Sequence, residues 1–228
     1  MLGERTWTEL AGPRTVVVPI GSVEQHGPHL PLDTDARIAH AVAAGAVHAD
    51  PGLLLAPTVA YGASGEHEGF PGTVSIGHAA LRSMLVELGR SASGWAARAV
   101  FVNGHGGNLP SVPQAVAQLR AEGRDAVWFG CGVPGGDAHA GRTETAIVLA
   151  IEPSLVRLDA IEPGDPTPLP RLLPALRGEG VRAVSPNGVL GDPTGATAAE
   201  GDLLLAGLVA ELRERVQRWH PNAAGQLL

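Results

Sequence analysis

The sequence contains no lysine, because all 16 of its basic residues are arginines. A Schiff-base mechanism and a P-loop both need a lysine side chain, so both are excluded. Cysteine is almost absent as well. Cys131 is the only one, which excludes an internal disulfide and fits a reducing compartment. It follows a strand-like run at 126–129, so we expect it to be a buried core residue.

Charge and long apolar runs are also scarce. Only 17% of the residues are charged and the net charge is -7, whereas a nucleic-acid partner needs a basic surface. No apolar run has the length of a membrane span and the N-terminus lacks a secretory signal, so we expect a cytoplasmic protein without a membrane partner. The 228 residues fit a single domain over 1–228, and the low charge favours a homo-oligomer.

Short β-branched runs alternate with segments of helical spacing, which is typical of an α/β fold built from βαβ units around a parallel sheet. We predict strands near 15–20, 53–59, 99–102 and 125–130. Apolar spacing predicts helices over 38–47, 81–95 and 112–119. The proline-rich segment 163–170 is predicted to be a loop or surface arm. Residues 197–200 have the spacing of a capping box and predict the start of a long final helix.

Two clusters of candidate metal ligands each follow a predicted strand, where open α/β sheets place their sites. Glu24, His26 and Asp35 follow the first strand, and His105 follows the third strand between glycines. Carboxylate and imidazole groups suit zinc, iron or manganese. The alternative is that Asp35 caps the following helix and that His26 lines a turn. For Asp33, capping is the favoured role.

Two loops have residues that would support such a site. Asn103 and Asn108 flank the third-strand loop and either orient it or donate hydrogen bonds to an oxyanion. That loop lacks the Lys-Ser/Thr pair of a phosphate-binding loop. In the loop at 61–73, Glu66 and His67 are adjacent and diverge in an extended chain. We therefore expect these two residues to support the site or contact a neighbouring subunit rather than chelate one ion.

A third cluster follows the fourth predicted strand. Asp137 and His139 have the character of a base and its orienting partner, and Glu144 lies early in a predicted helix, where it can face the cleft. Acidic residues in a first helical turn are also favoured by the helix dipole alone. Because every cluster follows a predicted strand, a composite metal site is favoured over independent coincidences.

The motifs at 24–31, 103–108 and 139–145 resemble those of the creatininase family of amidohydrolases. The resemblance implies a three-layer α/β/α sandwich with a mostly parallel central sheet. It also implies metal-dependent hydrolysis of peptide or amide bonds with two divalent metal ions, which would be zinc, ferrous iron or manganese. Assembly into homo-oligomers, often hexamers, is a further implication.

The resemblance also assigns roles to matching positions. Glu24 and His105 would hold one metal ion, His26 would hold the other, and Asp35 would bridge the two.

One position departs from the family pattern. Creatininase has a ligating glutamate where this chain has Gly107, so that ligand is missing or comes from elsewhere, and Glu144 is the candidate. His139 would carry the proton to the leaving amine, with Asp137 fixing its tautomer.

Most of the chain resembles one branch of that family, the peptidases of mycofactocin biosynthesis. The implied substrate is a small precursor peptide modified by a radical enzyme, from which the C-terminal modified Val-Tyr unit is released. The nearest alternative is an amidohydrolase acting on a small cyclic amide or formamide. Two functions of other classes also remain open: a nucleotide-binding regulatory domain and a non-catalytic metal-binding scaffold.

Overall fold

The centre of the molecule is a sheet of four parallel strands in the order β2-β1-β3-β4, seen in a computed structural model that describes residues 1–228. The strands are β1 (Thr15–Ile20), β2 (Leu53–Leu55), β3 (Arg98–Asn103) and β4 (Ala126–Gly130). All four predicted strands are present, and the predicted parallel sheet is confirmed.

The edge strand β2 is shorter than predicted, ending at Leu55 instead of 59. Pro57 follows shortly afterwards and has no amide hydrogen for a ladder. Beyond it, the Val59 amide donates to the Pro19 carbonyl, and Val59 forms an isolated parallel bridge with Ile20. The chain therefore resumes pairing with β1 at the point where β1 ends.

Helices cover both faces of the sheet. They are α1 (Thr34–His48), α2 (Gly77–Ala92), α3 (Val112–Ala121), α4 (Arg142–Ile151), α5 (Leu169–Glu179), α6 (Val181–Val184) and α7 (Ala198–Arg218). The N-cap of α7 is formed, because Thr197 Oγ1 accepts from the Glu200 amide. The Glu200 carboxylate accepts from Arg142 Nε instead of completing the predicted capping box. Helix α5 was not predicted. Its first turn contains Pro170, which fits there because an amide hydrogen has no helical partner at that position.

The alternation of β1 side chains defines three layers. Val16 and Val18 face a buried cluster formed with α2 and α3. Val17 faces the opposite cluster, formed with α1 and α7. This is the predicted three-layer α/β/α arrangement, with the sheet in the middle.

The strand order puts a topological switch between β1 and β3. The chain leaves β1 for β2 on one side and then crosses to β3 on the other. At such a point the connections diverge, and the carboxyl ends of the two strands border a crevice. The loops after β1 and β3 carry the first two candidate clusters, so both clusters lie at this crevice.

The first turn of α1 packs directly on the end of β3. A Cβ atom on Gly104 would lie 2.4 Å from the Asp35 carbonyl oxygen. Only glycine permits this approach, which brings Asp35 beside the loop that carries His105.

Two further predictions concern single residues. Cys131 is buried in the cluster beneath α1 and α7, as predicted. Asp33 occupies the N-cap position of α1, but its carboxylate accepts from Arg37 Nε at 2.7 Å and not from a backbone amide of the first turn.

The helices do not meet the requirements of a bilayer. None of them, including the 21 residues of α7, is both long enough and apolar enough to cross a membrane.

The contact at Gly104 can be tested by substitution. Gly104→Ala should lower the free energy of unfolding by about 1–3 kcal/mol, because the methyl group collides with backbone that cannot move freely. Gly106→Ala is the matched control, since a Cβ there meets no atom within 4 Å. Urea denaturation of both variants measures the difference. Equal stabilities would show that α1 does not depend on this close approach.

Candidate metal centre

Side chains from four loops and two helices converge at the carboxyl ends of the strands. They are Glu24 and His26 after β1, Asp35 in α1, His67 in the turn Gly65–His67, His105 after β3, His139 after β4 and Glu144 in α4. All are buried except Glu144, whose side chain keeps 23% of its exposure. The candidate ligands from distant parts of the sequence thus share one pocket.

Asp35 lies at the centre of this group. Its Oδ1 atom is 3.2 Å from His26 Nε2, and its Oδ2 atom is 3.1 Å from His105 Nδ1. Ser22 Oγ donates to Oδ2 and fixes the rotation of the carboxylate. Each carboxylate oxygen therefore faces a different imidazole ring, which is the arrangement that a bridging ligand requires.

Glu24 and His105 form one half of the centre. Glu24 Oε2 is 3.1 Å from His105 Nε2, and Glu24, Asp35 and His105 each place a ligand atom within 4.8 Å of the others. Glu24 is fully buried, yet neither of its carboxylate oxygens has a hydrogen-bond donor. An uncompensated buried carboxylate is costly, and a bound cation would remove that cost.

His26, His139 and Glu144 form the other half. Their ligand atoms also lie within 4.8 Å of one another, with Glu144 Oε2 3.9 Å from His26 Nε2. His26 Nδ1 donates to the Glu24 carbonyl oxygen at 3.1 Å, so Nε2 is the ring nitrogen that faces the carboxylates. A ring held by a carbonyl in this way is typical of metal-ligating histidines. The side chains present therefore fit two divalent cations.

Burial and the neighbouring side chains together set the protonation states of these groups. Burial raises the pKa of Glu24 to about 7. Burial also acts to raise the pKa of Asp35, but the neighbouring His26 and His105 outweigh it and hold that pKa well below its usual range. Burial lowers the pKa of His67 to about 3 and that of His139 well below its usual value. His67 and His139 are therefore neutral rings at neutral pH, and each has one lone pair.

His67 lies directly beside the centre. Its Nε2 atom is 3.2 Å from Glu24 Oε1, and Glu24, His67 and His139 form a third compact group. Glu66 points to a different place, 3.8 Å from His105 Nε2. The two neighbours do diverge as expected, but both remain at the same pocket.

Asp137 lies outside the centre. Its Oδ1 atom accepts from the amide and hydroxyl of Thr143, and its Oδ2 atom accepts from the Asp192 amide. The predicted pairing of Asp137 with His139 is not formed. His139 Nε2 instead lies 2.8 Å from the Gln25 carbonyl oxygen. Asp137 joins the start of α4 to the loop around Asp192, because a short carboxylate can accept the free amides there.

The two asparagines hold the His105 loop. Asn108 Oδ1 accepts from the Ala63 amide, and its Nδ2 atom donates to the Gly21 carbonyl. Asn103 Nδ2 donates to the carbonyl oxygen of His105 at 2.7 Å. Of the two roles left open for these residues, the contacts favour orientation of the loop over binding of an oxyanion.

No side chain can extend from position 107 in this arrangement. A Cβ on Gly107 would lie 2.3 Å from both Glu66 Oε1 and His105 Nε2. The carboxylate of Glu66 fills the space next to the ring, while Glu144 approaches the centre from the His26 side. The carboxylate of Glu66 therefore borders the region that a side chain at position 107 would otherwise reach.

The fit to cations predicts opposite effects of one substitution. In the presence of a chelator, Glu24→Gln should be at least as stable as the wild type, because it removes a buried negative charge without a donor. With manganese or zinc at a hundred times its dissociation constant, the wild type should gain about 2.7 kcal/mol. That gain corresponds to roughly 5–10 °C in melting temperature, and Glu24→Gln should lose most of it. Calorimetry with and without metal measures both effects. A wild-type melting temperature that does not change when metal is added would contradict the assignment of a metal centre.

Comparisons with known proteins all identify the same family. The model of the creatininase family, described as creatinine amidohydrolase, matches residues 3–216. A protein of Mycolicibacterium smegmatis named mycofactocin precursor peptide peptidase is 58% identical over 217 residues, with 93% of this chain and 88% of that protein covered. A protein of the same name from Mycobacterium tuberculosis is 54% identical over 236 residues, with 99% and 94% covered.

Comparison with solved structures identifies the same family. A crystal structure of creatinine amidohydrolase superposes with a TM-score of 0.81 at 26% identity, over 97% of this chain and 98% of that one. Other solved creatininases of the same similarity include a mutant in a Zn-Zn type and a manganese form. The motifs, the fold and these matches lead to one conclusion: the chain belongs to the creatininase family.

Proposed function

We propose that this protein is a metal-dependent peptidase that hydrolyses the mycofactocin precursor peptide and releases its C-terminal modified Val-Tyr unit. The predicted class of enzyme, a hydrolase of peptide or amide bonds, is confirmed by the family match and by the relatives at 54–58% identity. The observation that carries the proposal is the position of Asp35, with one carboxylate oxygen facing each half of a buried centre.

The ligands follow from that geometry. Glu24 and His105 would hold one ion, His26 and Glu144 would hold the other, and Asp35 would bridge them. Glu144 is suited to supply the carboxylate absent at Gly107 because it lies in the same compact group as His26. The ions are divalent, and zinc, manganese and ferrous iron all suit this mixture of oxygen and nitrogen ligands.

The chemistry expected of such a centre is amide hydrolysis. Bound divalent ions lower the pKa of a water molecule and polarise a carbonyl group. The neutral His139 ring has a lone pair that can accept a proton at the centre and return it to the leaving amine. Ser22 holds the carboxylate of Asp35 by a hydrogen bond, and Asn108 holds the Gly21 carbonyl in the loop that leads to Glu24.

A peptide substrate would approach the centre from the side where its groups are partly exposed. Glu66 and Glu144 are the partly exposed groups of the centre, with 28% and 23% of their side-chain surface exposed. They mark the direction from which a peptide tail can approach the buried ligands. Assembly into a homo-oligomer remains a prediction.

The substrate test uses the modified precursor peptide and a histidine control. Wild-type protein loaded with manganese or zinc should release the Val-Tyr unit, detected by mass spectrometry, and should leave creatinine unchanged. His105→Ala should lose metal and turnover together, since His105 contacts both Glu24 and Asp35. His48→Ala should behave as the wild type because His48 is exposed at the end of α1.

Two results would overturn this proposal. One is hydrolysis of creatinine, or of a small formamide, in preference to the peptide. The second is full peptidase activity in a His105→Ala protein that contains no metal.

A further inference from the structure

Gln25 lies between the two ligand-bearing residues Glu24 and His26, and its amide group is buried. The orientation of the amide is fixed by two backbone groups. Gln25 Oε1 accepts from the Gly27 amide at 2.8 Å, and Gln25 Nε2 donates to the Gly188 carbonyl at 3.0 Å. A backbone amide can only donate and a carbonyl can only accept, so the amide cannot be flipped.

The Gln25 Nε2 group has a second hydrogen that the Gly188 carbonyl does not use. Two histidine ring nitrogens lie within hydrogen-bond distance of this Nε2 atom. His67 Nδ1 is 2.9 Å from Gln25 Nε2, and His139 Nε2 is 3.0 Å from it. His139 Nε2 is also 2.8 Å from the backbone carbonyl oxygen of Gln25. Because that oxygen only accepts, His139 Nε2 has the hydrogen and cannot accept another. The remaining hydrogen of the amide therefore goes to His67 Nδ1.

This assignment gives the two rings opposite roles towards Glu24. In a neutral imidazole one nitrogen donates and the other accepts. His67 accepts at Nδ1, so its hydrogen is on Nε2, which lies 3.2 Å from Glu24 Oε1. His139 has its hydrogen on Nε2, so its lone pair is on Nδ1, which lies 3.7 Å from the same oxygen.

We infer that Gln25 is a positioning residue that sets the tautomers of His67 and His139. His67 then has its hydrogen on Nε2, the nitrogen nearest Glu24, and is not a metal ligand there, whereas His139 keeps a lone pair directed into the centre. The two ring centroids are only 4.4 Å apart. The backbone carbonyl of Gln25 fixes the hydrogen of His139, and the side-chain amide fixes that of His67. The consequence for catalysis rests on the proposed function, but the placement of the hydrogens does not.

Neutron diffraction from deuterium-exchanged crystals of the metal-free wild type tests the placement directly. The expected map shows deuterium on Nε2 of both His67 and His139 and none on their Nδ1 atoms. Deuterium on His67 Nδ1, or on His139 Nδ1, would overturn the inference. This measurement needs no variant and no turnover. The hydrogen placement can therefore be wrong while the proposed function is right, and the proposed function can be wrong while the hydrogen placement is right.

A variant adds the causal test. Gln25→Glu replaces the amide donor with a carboxylate that can only accept, so deuterium should move to Nδ1 of His67. With the metal ions restored, kcat should fall about 10- to 100-fold, the range typical of residues that support a metal site through hydrogen bonds. KM should stay unchanged because Gln25 is buried beneath the ligands.

The control is Gln114→Glu, at an exposed position on α3, which should match the wild type in both measurements. An unchanged His67 tautomer in Gln25→Glu would refute the assignment to Gln25. A loss confined to KM would also refute it, because a group beneath the ligands should not alter substrate binding alone.

Discussion

The whole site depends on one buried carboxylate, that of Asp35, held between imidazoles from two different loops. His26 follows β1 and His105 follows β3, and these strands are neighbours only because the sheet has the order β2-β1-β3-β4. The first turn of α1 reaches both loops because Gly104 has no side chain. Topology, one close backbone contact and one carboxylate therefore bring the two halves of the centre together.

The negative charges of Glu24 and Glu144 are unfavourable in the absence of a cation. Glu24 is fully buried and lacks hydrogen-bond donors, and Glu144 approaches from α4. Burial raises the pKa of both glutamates, which shows how strongly the pocket disfavours their charges. A protein that needed only stability would place apolar residues here. The cluster is better explained by the chemistry of bound divalent ions, for which partly compensated carboxylates are suitable ligands.

Sequence patterns predicted much of this structure. Strand positions followed from β-branched runs, and the candidate ligands followed from residue types placed after those strands. The details that were missed depend on tertiary contacts. Pro57 interrupts β2, and α5 begins inside a proline-rich segment because proline is acceptable in a first turn. The sequence left open whether Glu66 and His67 support the site or contact a neighbouring subunit, and the loop folds so that both border the pocket.

For Asp137, the sequence predicted a contact that the structure does not contain. Its spacing from His139 indicated a pair, but the Asp137 carboxylate accepts hydrogen bonds from the amides of Thr143 and Asp192 instead. The role of Gln25 could not be seen in the sequence, since its partners His67, His139 and Gly188 are distant along the chain. Spacing identifies which chemical groups are present, whereas hydrogen-bond geometry decides which of them are paired.

The most direct test of the central claim is anomalous diffraction at the manganese edge from crystals grown with manganese. The account predicts two peaks in each pocket, one beside Glu24 and His105 and one beside His26 and Glu144, with Asp35 between them. A single peak, or peaks confined to exposed carboxylates, would contradict it.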